Sequence, residues 1–340
     1  MKYLPHLTSL QFRLIASVTV IAVAGGLLTI WFSFKVLHSP LNAIQSPTIF
    51  EVESGSSFSQ VSRDLDSLGL FSYPRLLILL ARVKGVENSI KVGEYDLEDG
   101  LTAAELIDKM VAGETLQYRV TLVEGWTFRQ ALDAIQNSNK IVSVLQGLTD
   151  TEILEQMSLT YENTEGSLFP DTYFYTAGST DLDIVMRASI RLKSILQSEW
   201  EKKVGALPYE TPYQALIMAS IIEKESAASS ERGHISGVFI RRLELGMRLQ
   251  SDPTVIYGMG DRYNGDIRRA DLQEVTLYNT YRVNGLPPTP IALAGFDSIH
   301  ASLNPELSEY LYFVAQSDGS HYFSSSLEEH NQAVGRLLNR

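Results

Sequence analysis

The chain has 340 residues, no cysteine and a formal net charge of -12, with 28 Lys and Arg set against 40 Asp and Glu. That length holds two or three domains with cores of their own, and the missing cysteines remove disulfides and thiolate chemistry while leaving the compartment open. The acidic balance counts against a nucleic-acid partner, whose phosphates need clustered Lys and Arg, and says little about a polysaccharide.

Residues 14–34 run for 21 positions without a charge, about 30 Å as a helix and enough to cross a bilayer. Trp31 and the neighbouring phenylalanines suit the outer interface. A cleaved signal is the competing reading. Its apolar core is normally shorter and followed by small residues, whereas Phe34-Lys35-Val36-Leu37-His38 follows here, so a retained anchor fits better. Lys2 and Arg13 before the span and Lys35 after it give only a weak positive-inside signal.

After a linker near residues 39–46, the stretch to about Glu114 reads as small βα units. Residues 48–52 alternate as a strand, 55–57 turn, and 58–68 show helical spacing. Val92-Gly93-Glu94-Tyr95 gives another strand, and residues 101–105 open a capped helix. A second strand, turn and helix follow at 120–123, 124–127 and 128–135. V-E-S-G-S-S-F from Val52 and V-E-G-W-T-F from Val123 form an internal repeat of low specificity.

Residues 211–225 carry explicit helix punctuation: Thr211 for the N-cap, Pro212 for the first helical position and Gln214 to complete a capping box. Residues 215–222 are almost wholly apolar, so this helix is predicted to be buried nearly all round. It ends in Glu223 and Glu225, an expensive arrangement for a buried helix unless the acids act. Positions two apart point roughly 200° apart around the axis. Glu225 falls on the stripe of Met218, Ile221 and Ile222, and Glu223 on that of Leu216, Ala219 and Ser220. Apolar neighbours and the negative helix end both push the Glu225 pKa upward, as a general acid requires. A solvated Glu-Lys-Glu helix end accounts for the same spacing.

Farther on, 230–245 reads as a helix ended by Gly246, and 248–257 as a loop through Asp252-Pro253. Residues 310–314 and 321–323 flank an Asp318-Gly319 hairpin turn, and Ser326 with Glu329 caps the final helix. Helices and strands are mixed rather than alternating, which favours α+β. The six histidines show neither H-E-x-x-H nor paired Cys/His spacing, so His321 and His330 read as surface or loop residues. No metal or cofactor is expected. Ser226 and Ser251 lack a nucleophile motif, and Gly258-Met259-Gly260 is too short for a phosphate loop. The aromatic segments around Phe169 to Tyr173 and Tyr278 to Tyr281 suit either core packing or a glycan cleft.

The blocks ASIIEKES, RLQSDPTVIYG, EGSLFPDTYFY, YNTY...GLPPTPI and YLYFVAQSDGSHYFS resemble, in order, the MltG/YceG-like family of endolytic murein transglycosylases. One departure is Leu293-Ala294-Gly295, where the family usually carries an Asn-Pro-Gly-like turn; it bears on local loop shape. The resemblance implies a cytoplasmic N-terminus (1–13), a transmembrane helix (14–34), a linker (35–47), a LysM-like module (48–119) and a catalytic domain (120–340) in the periplasm. The LysM-like module either grips glycan or is only a spacer. The resemblance makes Glu225 the catalytic acid that cleaves the MurNAc-GlcNAc bond and leaves 1,6-anhydroMurNAc ends. Glu165, Phe169, Asp171, Tyr173, Gln250, Asp252, Asn279 and Tyr281 are the expected substrate-binding residues within these blocks. Peptidoglycan strands are the implied substrate, and peptidoglycan synthases or penicillin-binding proteins the implied partners at the cell inner membrane. A membrane-anchored glycan-binding scaffold without catalysis is the alternative, though a pure binder has no need of ASIIEKES at the end of a buried helix.

Overall fold

The computed structural model describes residues 9–42, 48–159, 163–225 and 228–338; Lys2, residues 43–47 of the expected linker and Ser226 fall outside these ranges. The chain divides into two compact units, Met1–Gln117 and Tyr118–Arg340.

The first unit begins with α1 (Ser9–Leu37), whose Arg13–Leu37 portion is long and apolar enough to cross a membrane. There follow β1 (Thr48–Val52), α2 (Phe58–Ser67), α3 (Pro74–Lys84), β2 (Gly93–Leu97) and α4 (Ala103–Ala112). β1 and β2 pair antiparallel, with Thr48 opposite Leu97 and Val52 opposite Gly93, so the strands enclose two helices in a β-α-α-β order. Phe50, Val61, Leu77, Tyr95, Leu106 and Met110 are buried in one core. The caps are local: the Ser57 side chain accepts the Gln60 N–H, and Thr102 with Glu105 forms the expected capping box. α3 was absent from the sequence expectations. Pro74 opens it, Gly85 at φ 69° closes it, and its apolar run lacks strong alternation of polar residues.

The second unit contains β3 (Tyr118–Thr121), α5 (Phe128–Gln136), α6 (Asp150–Gln156), β4 (Thr172–Tyr175), α7 (Asp181–Glu201), α8 (Pro212–Glu225), α9 (Arg232–Glu244), α10 (Asp252–Met259), α11 (Phe296–Leu303), β5 (Tyr312–Ala315), β6 (His321–Ser324) and α12 (Leu327–Leu338). β3 pairs antiparallel with β4, and β5 with β6 in the expected hairpin. Helices and short antiparallel ladders are mixed, which is an α+β architecture.

α8 is the axis of this unit. All eight side chains from Ala215 to Ile222 are buried, as its composition predicts, and α7, α9, α10 and α11 pack around it. Its N-terminus departs slightly from a full capping box. The Thr211 hydroxyl accepts the Gln214 N–H at 3.3 Å, but the Gln214 side chain accepts the N–H of Glu210 at 2.5 Å. The segment 248–257, expected to be a loop, instead becomes helix α10 from Asp252 onward. Pro253 sits in its first turn, where its missing N–H costs nothing, so the Asp-Pro pair starts a helix rather than a turn.

Candidate active site

Glu225 is the last residue of α8, and its carboxyl faces a cleft of about 390 Å³. Gln250, Asp252 and Tyr281 line the same cleft, together with Arg242, Tyr312, His330 and Asn331. Glu225 Oε1 accepts a hydrogen bond from Ser251 Oγ at 2.5 Å. Ser251 is itself immobilised. Its N–H donates to Thr280 Oγ1 at 2.9 Å, its carbonyl accepts the Thr254 hydroxyl at 2.7 Å, and all three residues are buried. Gln250, just before it, adopts φ 52°, a left-handed conformation uncommon for a residue with a side chain and concentrated at functional sites.

The electrostatics follow from burial. Desolvation lifts the Glu225 pKa from the ordinary 4.5 to about 7. The Ser251 hydrogen bond and the Arg242 charge oppose that rise, and the Asp252 charge adds to it. Arg242 is held by its neighbours: Nε donates to the Leu311 carbonyl at 2.7 Å, Nη1 to that of Leu249 at 2.6 Å, and the guanidinium lies 5.2 Å from the Tyr312 ring centre. Tyr281 donates its hydroxyl to Asp252 Oδ1 at 2.7 Å, and burial raises the phenol pKa. His330 stacks on Tyr312 at 5.4 Å; burial, then the Arg242 charge, lower its pKa and favour the neutral ring.

Glu223 points elsewhere, as helix geometry requires. Its carboxylate takes Arg232 Nη2 and the Gly295 N–H, both at 2.9 Å, and its side chain is only 4% exposed. It ties α8 to α9 and to the start of α11.

The remaining sequence-selected residues lie outside the cleft lining. Glu165 is buried and accepts N–H groups of Phe128 at 2.8 Å and Gly166 at 3.2 Å and the Tyr257 hydroxyl at 3.2 Å; burial raises its pKa. Phe169 is buried beneath the Arg191 guanidinium, which also pairs with Asp171 at 2.5 Å. Tyr173 donates its hydroxyl to the Phe169 carbonyl at 2.7 Å. Asn279 donates to the carbonyls of Asp271 and Glu274 and accepts the Tyr281 N–H at 3.0 Å, fixing the turn that carries Tyr281.

Ser251, Arg242, Tyr312, His330 and Asn331 were not among the expected binding residues. Ser251 sits between Gln250 and Asp252 in RLQSDPTVIYG and Tyr312 in YLYFVAQSDGSHYFS, whereas Arg242, His330 and Asn331 come from α9 and α12 and meet Glu225 only through folding. A larger opening of about 520 Å³ lies near the N-terminal part of α8, between Tyr213, Leu243 and Pro287. Among the described residues no carboxylate lines it, so they offer nothing there for acid chemistry. Among the described residues, no three His, Cys, Asp or Glu side chains gather as a metal site.

A model of the YceG-like family matches residues 50–336. An endolytic murein transglycosylase of Bacillus subtilis is 30% identical over 322 residues, covering 89% of each chain. An endolytic murein transglycosylase of Streptococcus pneumoniae is 26% identical over 325 residues, covering 85% of this chain and 58% of that longer protein. The crystal structure of a YceG-like protein from Listeria monocytogenes superposes with a TM-score of 0.54 at 28% identity, over 85% of this chain and 99% of that one. With the family model spanning most of its length, the chain belongs to the YceG-like family.

Proposed function

We propose that this protein is a membrane-anchored endolytic lytic transglycosylase of peptidoglycan, with Glu225 as its catalytic acid. The observation that carries the reading is the Glu225 carboxyl at the end of a buried helix, open to a cleft and lifted by burial to a pKa of about 7. Near neutrality such a group still holds a proton to give. Ser251 donates to Oε1, which leaves Oε2 to carry that proton.

In the proposed reaction Glu225 protonates the glycosidic oxygen between MurNAc and GlcNAc, and the bond from the MurNAc anomeric carbon to that oxygen breaks. The 6-hydroxyl of the same MurNAc then attacks the oxocarbenium carbon and returns its proton to the Glu225 carboxylate. The products are a free GlcNAc 4-hydroxyl and a 1,6-anhydroMurNAc end, and no water is consumed. Cutting within nascent strands would limit their length, beside the peptidoglycan synthases that make them. We assign α1 as a single-pass anchor in the inner membrane with the second unit in the periplasm. The β-α-α-β order of residues 48–97 supports a LysM-like module there.

The second reading is a hydrolase, because Asp252 lines the cleft beside Glu225 and a two-carboxylate glycosidase needs a second acid. The products decide. The full chain in detergent, incubated with uncrosslinked glycan strands, should yield fragments lighter by one water than reducing-end products by mass spectrometry. Glu225→Gln, which has no proton of useful acidity, should lose on the order of a hundredfold to ten-thousandfold in rate. Ordinary reducing ends would establish hydrolysis, near-normal activity of Glu225→Gln would remove the acid assignment, and binding without any cutting would favour the scaffold.

A further inference from the structure

Helix α3 has a face that neither the core of the first unit nor the Glu225 cleft uses. In a chain of net charge -12, its 11 residues include Arg75, Arg82 and Lys84 and no acid. Leu77 and Ala81 are its buried side. Positions 75, 79, 82 and 83 recur at helical spacing on the opposite side, where Leu79 is 56% exposed and Val83 78%. Apolar side chains interleaved with arginines on one helix face are what an interfacial helix presents to a membrane.

What lies against this face follows from how α1 ends. Leu37 and Leu41 are buried in the same core as α3, and the Leu41 N–H donates to the Leu101 carbonyl at 2.8 Å. The membrane helix therefore runs directly into the folded module. The Phe32 ring meets Tyr73, the residue before α3, edge-on at 6.0 Å. The 25 residues Arg13–Leu37 span about 37 Å, against about 30 Å of hydrocarbon, which leaves about 7 Å for the headgroup layers, and the end that leads into the folded module emerges through one of them. Trp31 and Lys35 there, an indole beneath an ammonium at 5.5 Å, are interface anchors by type. Tyr73, and with it the start of α3, sits at that depth.

We propose that α3 seats on the headgroup layer of the bilayer that α1 crosses, with Leu79 and Val83 toward the acyl boundary and Arg75 and Arg82 on anionic lipid phosphates. The charges match: among the described residues Arg75 has no ion-pair partner, and the Arg82–Glu87 pair is a surface pair that phosphates can replace. The seat fixes the first unit against the membrane plane. It rests on the reading of α1 as a retained anchor.

The absence of cysteine makes the test direct, because any introduced thiol is unique. The full chain is reconstituted in vesicles of anionic and zwitterionic phospholipid, carrying one environment-sensitive fluorophore at Leu79→Cys, Val83→Cys, Trp31→Cys or Leu307→Cys. Leu307 is 94% exposed in the second unit and serves as the aqueous reference. Labels at 79 and 83 should be blue-shifted and quenched by headgroup-level spin-labelled lipid, as at 31, while the label at 307 is not. Arg75→Glu with Arg82→Glu should abolish that quenching at 79 and 83. If 79 and 83 behave like 307 while 31 is quenched, the anchor stands and the seat falls. If 31 is not quenched, the anchor reading itself fails and takes the seat with it. Labels at 79 and 83 shielded from aqueous iodide but untouched by lipid quencher would put a second copy on the face and overturn the proposal.

Discussion

Glu223 and Glu225 differ by two positions and have opposite electrostatic fates. Glu223 is matched by Arg232 and a backbone N–H, whereas Glu225 receives the Ser251 hydroxyl and, among the described residues, no ion pair. A carboxyl whose folded pKa stands above its unfolded value stabilises the fold fully only below about 4.5, and that contribution is lost as pH rises through about 7. The site therefore costs stability under alkaline conditions. Glu225→Gln should melt at or above the wild-type temperature at pH 8, which separates lost chemistry from lost folding. Catalysis has the same sign: the acid form is present below the pKa, so the rate should fall as pH rises through about 7. The Ser251 hydrogen bond favours the carboxylate, so Ser251→Ala should move that alkaline limb upward, by about half to one pH unit for a bond of roughly 1 kcal/mol. A pH–rate profile on glycan strands measures it. A limb that stays in place, or moves down, would separate Ser251 from the proton on Glu225.

α8 was legible in the sequence because each of its signals is local: Thr211 and Pro212 at its start, an unbroken apolar stretch, and two acids whose angular separation follows from the helical repeat. α10 was not legible, because Asp-Pro serves turns and helix starts alike; in the fold Thr254 of its first turn bonds the Ser251 carbonyl and meets the Thr280 hydroxyl, contacts the local sequence does not announce. The cleft was legible in part. Gln250, Asp252, Tyr281 and Tyr312 lie in distinctive blocks, but Arg242, His330 and Asn331 are brought in from α9 and α12 by tertiary packing that leaves no mark on neighbouring residues. That packing is tight at α9. A Cβ on Gly237 would stand 2.2 Å from the Glu306 carbonyl oxygen, backbone that has no rotamer by which to yield. Ala has the better helix propensity by about 1 kcal/mol, yet overpacking of this kind costs about 1–3 kcal/mol. Gly237→Ala should therefore lower the melting temperature by several degrees. Because α9 also carries Arg242, it should disturb the cleft as well; an unchanged or higher melting temperature would show that α9 and residue 306 can separate.

Strong negative charge and the apolar helix α1 set the terms for the chain as a whole. The net charge of the chain gives no general attraction to anionic lipid headgroups, so in the proposed reading attachment rests on the apolar span Arg13–Leu37, whose exposed side chains have no other shelter among the described residues. Two outcomes remain physically distinct: a retained span that leaves the body tethered, and a cleaved one that frees it. Orientation cannot come from Lys2, Arg13 and Lys35, which nearly balance across the span, so it has to be measured. With the body on the periplasmic side, protease added to spheroplasts with an intact inner membrane should degrade the second unit while leaving α1 in the membrane fraction. Detergent lysis should add nothing to that loss. Survival of the whole body until the membrane is dissolved would place it in the cytoplasm, away from any glycan strand. Recovery of a soluble chain beginning after about Phe34 would instead mean that the span is a signal, and the cleft around Glu225 would then work untethered.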